Sequence, residues 1–271
     1  MQKSALSTAR VAGLFAGLLG ATMAVRWVFQ VDAITRLIPG SEHVGIVNPL
    51  LFIAAGLSLF NASRPQKTAA WLTRLSAICI AALVALPLAY LFESATGIAL
   101  GVDIARAGTV STAAYPYPGR LSPNASLAFL LTGAAFWMHR RRPTRTCQLL
   151  FPVLALAVSF IGLSGLVGYF VGLEMLYQMA SFNRMLPATA FGLSVVGAGL
   201  WTLHEASQAF DPKALRKSER QIKRRSIAVI TLVALAGGVA GFAVMRDTFE
   251  RSVSRDMLLT ATTNATSLAH T

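Results

Sequence analysis

The segment Arg120–Trp137, RLSPNASLAFLLTGAAFW, returns 64 residues later as Arg184–Trp201, RMLPATAFGLSVVGAGLW. At that offset Arg120/Arg184, Pro123/Pro187, Gly133/Gly197, Ala134/Ala198 and Trp137/Trp201 are identical, and most other positions are small or apolar. Each copy reads as the opening of a helix. Proline belongs in the first turn, where its missing N–H costs nothing, and Ser122 is placed to cap the first copy. A fainter third version runs from Asn48 to Phe60. There Asn48 stands at the cap and Pro49 is first in the helix, with Gly56 and Phe60 spaced like Gly133 and Trp137. Such a repeat predicts a module assembled from similar helical hairpins.

Composition decides what surrounds that module. Of 271 residues 55% are hydrophobic and 13% charged, with a mean hydropathy of +0.59. That is more aliphatic surface than a single soluble core hides, so the bilayer is the expected solvent. Apolar runs at 11–31, 44–61, 71–92, 123–138, 148–172, 186–203 and 226–245 each approach the ~20 residues that cross ~30 Å of hydrocarbon. The expected fold class is therefore all-α, a polytopic bundle of seven transmembrane helices with a parallel internal repeat. Pro87 predicts a kink in the third run, whose freed carbonyl a neighbour must satisfy. Small residues at Gly13/Gly17, Ser164/Gly168/Gly172 and Gly237/Gly241 are spaced for close helix approach.

Charge orients the bundle. Residues 1–10, 62–74, 139–147 and 204–225 hold 16 of the 24 Lys/Arg but only three of the 11 acids, so they carry the entire net charge of +13. Positive-inside counting puts them in the cytoplasm, with the N-terminus inside and Thr271 outside a bacterial inner membrane. The excess then meets anionic lipid head groups and is not a nucleic-acid footprint. All three proline-started helices run inward, with their positive dipole ends at the outer face. The inverted repeats common in secondary transporters run otherwise.

Three regions follow. Residues 1–206 are the six-helix module, and 207–225 a basic cytoplasmic linker helix opened by Asp211 and Pro212. Residues 226–271 hold the seventh span and an outward helix with apolar positions at Phe249, Val253, Met257, Leu258, Ala265 and Leu268. That stripe has no partner on a lone helix, so an extracytoplasmic domain is expected to follow, with this chain the front part of a longer protein.

No nucleotide loop, nucleophile elbow or zinc motif is present, so no catalytic residue, cofactor or metal site is predicted. Cys79 and Cys147 form no disulfide framework. His139 and His204 follow Trp137 and Trp201 and read as membrane-interface residues. Chemistry concentrates at the outer mouth instead. Arg26 lies within a span, a costly place for a charge. On its side are Arg36, Arg106, Arg120 and Arg184, against Asp32, Glu42, Glu93, Asp103 and Glu174, with Tyr115, Tyr117 and Tyr177 among them. Two readings stay open. The arginines anchor helix ends and pair structurally, or Arg26, Glu93, Asp103, Arg106, Arg120, Glu174 and Arg184 surround an anion pocket at helix N-termini.

The stretches YLFESATGIALGVD (90–103), GRLSPNASLAFLLTG (119–133) and NRMLPATAFGLSVVG (183–197) resemble the multi-span N-terminal sensor region of bacterial signalling proteins, typically PAS-containing histidine kinases or diguanylate cyclases. Residues 211–271 are similar to the entry into a CHASE- or Cache-type sensor domain. The resemblance implies signal input from a small ligand or membrane cue, with dimerisation and with catalysis in a region beyond this chain. The rival is a small-solute or ion transporter, and a third reading is a scaffold whose basic segments dock a partner.

Overall fold

The computed structural model describes residues 2–31, 45–64, 69–104, 109–140, 145–179 and 182–208. Asp32, Arg36, Glu42, His43 and Arg106 lie outside the described residues, as do the linker from residue 209, the seventh run and the outward helix.

The described residues form an all-α structure without strands, in six helices: α1 (Gln2–Phe29), α2 (Val47–Ala62), α3 (Ala70–Thr96), α4 (Pro123–Arg140), α5 (Arg145–Val171) and α6 (Pro187–Gln208). A 3-10 turn at Glu174–Leu176 lies between the last two. Three helices, α1, α3 and α5, are long and apolar enough to cross a membrane. The proline-started helices that alternate with them are shorter, at 16, 18 and 22 residues.

The six close into a ring. Each helix packs on the one before and after it in the chain, and α6 packs back on α1. The short helices α2, α4 and α6 also touch one another, which puts them inside and leaves α1, α3 and α5 around them. Burial follows this division. Phe52 of α2 meets Phe129 of α4 edge to face at 5.0 Å, and Ala128, Ala135, Leu193, Val196 and Leu200 are fully buried. The long helices instead expose Val11, Leu18, Ile78, Leu88, Leu163 and Phe170. Lipid tails are the natural cover for such faces, because an exposed apolar side chain costs nothing where the solvent is hydrocarbon.

The repeat has a structural meaning. Gly56, Gly133 and Gly197 each seat their helix on the long helix of the same hairpin. A Cβ at Gly56 would stand 2.5 Å from Gly17 N and 2.6 Å from Gly13 O. At Gly133 it would stand 3.0 Å from Leu83 O, and at Gly197 2.5 Å from Ser159 N. All three hairpins, α1–α2, α3–α4 and α5–α6, thus depend on a missing side chain at the corresponding point, and the faint copy at α2 shares the role of the strong pair. Leu83 O is also the carbonyl that Pro87 deprives of its helical N–H. The neighbour that comes to it is the bare backbone of Gly133.

Several boundaries differ from expectation. Pro123 and Pro187 do begin their helices, and Ser122 Oγ accepts from Ala125 N at 3.3 Å as a cap. Asn48 is not a cap. The helix starts one residue earlier, Ile46 before it already has helical angles, and no side chain caps the end. Glu93, the first residue past the apolar run at 71–92, belongs to the last turn of α3 and is buried. Its carboxylate finds partners there, which lets a charge stay in the helix. Gly172 makes no helix contact; it takes φ +76 in open space and ends α5. The close approach of α5 to α6 is made at Gly162, which faces Ala190 and Ser194.

Basic residues gather at one end of the ring. Arg10 donates to Ser63 O at 3.3 Å and Arg140 to Thr73 O at 3.3 Å, tying α1 to the end of α2 and α4 to the start of α3. The carboxylates described below are at the opposite end.

Candidate functional site

At that opposite end the three inner helices begin, and two connections fold over them. The first, from α3 to α4, turns at Gly97 (φ +73), whose N–H donates to Glu93 O at 2.9 Å. Tyr90, fully buried, donates its hydroxyl to Val102 O at 2.7 Å. Leu100 N donates to Glu93 Oε1. These bonds hold residues 100–103 against the end of α3 and deliver Asp103 to Arg120.

Arg120 is the hub. Its Nε and Nη2 both donate to Asp103 Oδ2, at 2.9 and 2.6 Å. Nη2 also lies 3.3 Å from Glu93 Oε2, an ion pair without hydrogen-bond alignment. Side-chain exposure is 0% for Glu93, 10% for Arg120 and 25% for Asp103. The Asp103 hydrogen bonds, with some help from the charges of both carboxylates, hold the guanidinium above its ordinary pKa, so it is a permanent cation here. Tyr117 stacks beneath it at 4.8 Å.

The second connection, from α5 to α6, is sewn to the first by Asn183. This buried side chain accepts from Tyr117 N at 2.9 Å and donates to Tyr117 O and, at 2.7 Å, to Arg120 O. Arg184 N donates to Ala114 O at 3.1 Å. The Arg184 side chain donates to Glu174 Oε1 at 2.6 Å and Gln178 Oε1 at 2.7 Å and lies 5.7 Å over Tyr177. Tyr177 stacks on Tyr169 at 4.0 Å, and Tyr169 donates to Met185 O at 2.7 Å.

Between the two arginines lies a small cleft of about 20 Å³. Asn48 comes from α2, Ser122 from the cap of α4 and Thr189 from α6, with Tyr115, Arg120 and Arg184 around them. Among the described residues no acidic side chain lines it; Glu93, Asp103 and Glu174 are the arginines' partners and not part of the wall.

Of the residues expected at the mouth, the structure brings Glu93, Asp103 and Arg120 into one cluster and Glu174 and Arg184 into another, on either side of this cleft. Arg26 is in the last turn of α1, at the same end of the ring, and Arg106 lies outside the described residues. Asn48, Thr189, Asn183 and Tyr90 were missed as site residues. The only signal was position: Asn183 directly precedes the repeated Arg184, and Asn48 opens the faint third copy. His139 and His204 both flank Phe151, at 5.8 and 5.4 Å, at the basic end. No group of three metal-ligating side chains occurs among the described residues.

Fold and site together define an all-α bundle with three helices able to cross a membrane and one polar, ion-paired mouth. No protein-family model matches the chain, and no curated protein and no solved structure matches it.

Proposed function

We propose that this chain is the membrane-embedded sensory input region of a bacterial signal-transduction protein, a histidine kinase or diguanylate cyclase. In this reading it crosses the inner membrane with its N-terminus inside and passes a membrane or periplasmic cue on by helix rearrangement. The observation that carries the reading is how the mouth is built. The start of every inner helix is bound to a connecting loop or to another inner helix through Arg120, Asn183, Asn48 and Arg184, so a cue that moves a loop moves helices. Tight glycine seats make such a bundle switch between packings and not deform gradually. α1–α6 fall on the first six apolar runs, and α1, α3 and α5 are long and apolar enough to cross a membrane; a seventh span, the basic linker and the start of an extracytoplasmic sensor complete the proposed input region. Its partners would be anionic lipid on the cytoplasmic side and a second copy of the protein.

One observation favours the rival transporter. Ser58 and Ser126, on the inner helices α2 and α4, are 1% and 0% exposed, and their hydroxyls have no hydrogen-bond partner among the described residues. Polar groups on a solute path would look like this. The deciding experiment pairs two measurements. The reading frame through Thr271 is followed to its end, and the purified protein is tested for solute uptake in proteoliposomes. A kinase or cyclase region in the same polypeptide, with no uptake above empty liposomes, is the expected result. A frame without an output region, together with saturable uptake, would overturn the sensor.

A further inference from the structure

The geometry points to the cleft at the inner-helix starts as a binding site for a small anion. This deepens the sensor reading; binding itself can be measured without it. The argument begins with Asn48, which is 4% exposed and lines the cleft. Its Nδ2 donates to Thr189 Oγ1 at 3.0 Å, while its Oδ1 is buried and has no hydrogen-bond partner among the described residues. A buried amide half-used is an unfavourable arrangement. A hydroxyl donates or accepts equally well, so the two ends of the amide can exchange by a half-turn of the side chain without loss of the Thr189 bond. After that turn Thr189 donates to Asn48 Oδ1, and the two N–H donors of Asn48 become available to the cleft.

Among the described residues, the charged side chains in the wall are both cations. Three helices start at the cleft, each with positive dipole charge at this end and with first-turn N–H groups that lack helical partners. Arg120 and Arg184 line it, and their carboxylate partners do not. A volume of about 20 Å³ admits one group the size of a water molecule. The occupant is therefore a halide ion, or the carboxylate of a small organic acid reaching in from the mouth; both present compact negative charge to N–H donors.

The test uses the full chain in lipid nanodiscs, with ionic strength held constant by a bulky sulfonate buffer while chloride, bromide or acetate is added. A saturable rise in the thermal unfolding midpoint is expected. Asn48→Leu and the near-isosteric Thr189→Val should weaken the apparent affinity at least tenfold, and Thr73→Val at the basic end should leave it unchanged. A response to halide alone assigns a free ion, and one to acetate alone assigns an organic carboxylate; either supports the site. No response in the unaltered chain, or equal responses in all variants, would overturn it, the cleft then holding water only. If Asn48→Leu does not fold, Thr189→Val carries the comparison. Failure of binding would leave the sensor reading standing, whereas binding that never alters a kinase or cyclase output would count against sensing at this site.

Discussion

Arg120 and Arg184 occupy the same place in two copies of one motif, three residues before a helix-starting proline, yet they live in different surroundings. Arg120 is pressed between a fully buried glutamate and an aspartate, with a tenth of its side chain exposed. Arg184 is 29% exposed and its partner Glu174 is 60% exposed. The difference comes from the preceding connections. One turns at Gly97 and is pinned to Tyr90 and Glu93, so it brings a carboxylate inward. The other runs through a short 3-10 turn and offers its glutamate at the surface. Repetition copied the helix and its leading arginine; the loops decided what each arginine is for. Buried and exposed pairs also differ in kind. Removing one partner of a buried pair strands a charge, whereas an exposed pair is already half-solvated and screened.

The largest effect should follow from breaking the first pair. Arg120→Ala leaves Glu93 buried and Asp103 without its two hydrogen bonds, which is expected to cost about 3–5 kcal/mol. Thermal unfolding in nanodiscs would read the loss as a collapse of the midpoint or a failure to purify folded protein. Glu93→Gln added to Arg120→Ala should recover part of it, since an amide can stay where an unpaired carboxylate cannot. Equal damage in the single and double variants would show that the guanidinium acts through Asp103 alone.

Next come the glycines, where the copies should agree. Gly56→Ala and Gly197→Ala push a methyl group into the backbone of the facing helix, and overpacking of this kind costs about 1–3 kcal/mol. Gly133→Ala should fall at the low end, because its nearest obstacle is the movable Val84 side chain at 2.8 Å. Gly17→Ala is the control. A methyl there meets nothing within 4 Å, and alanine favours a helix by about 1 kcal/mol in water. A midpoint that fell as far for Gly17→Ala as for Gly56→Ala would deny that close backbone approach is what the repeat preserves.

These glycines mark how far the sequence was legible. Prolines at helix starts, apolar runs and the spacing from arginine to glycine to tryptophan report local, periodic constraints, and they placed the starts of α2 to α6 within a few residues, whereas α1 begins at Gln2, well ahead of the run at 11–31. The ring order was not legible, since nothing in the α1 or α6 sequence names the other as neighbour; Gly192 and Gly199 seating on Phe52, Leu19, Leu59 and Ala12 make that closure. At the mouth, the gathering of Glu93, Asp103 and Arg120 was readable as charge at one depth of the membrane. Asn183 was not, because its value lies in backbone groups 63 and 66 residues away. Asn48 was misread for a related reason. Beside a proline it fits a cap by local rules, and only the α6 packing gives its amide a hydroxyl to meet.

The smallest effect is the sharpest check on the comparison. Arg184→Ala removes an exposed pair that contributes about 0.2–1 kcal/mol and leaves the backbone bond from Arg184 N to Ala114 O in place. Its midpoint shift should be a small fraction of that for Arg120→Ala, and it should shrink further in 1 M salt, where the screening length is about 3 Å. The Arg120 effect should persist in salt, because ions do not enter a pair whose glutamate is fully enclosed. Salt dependence therefore separates the two arginines even if their shifts in dilute buffer come out alike. If both effects vanished together in high salt, the contrast between a buried hub and a surface anchor would be lost, and the two copies would be electrostatically equivalent after all.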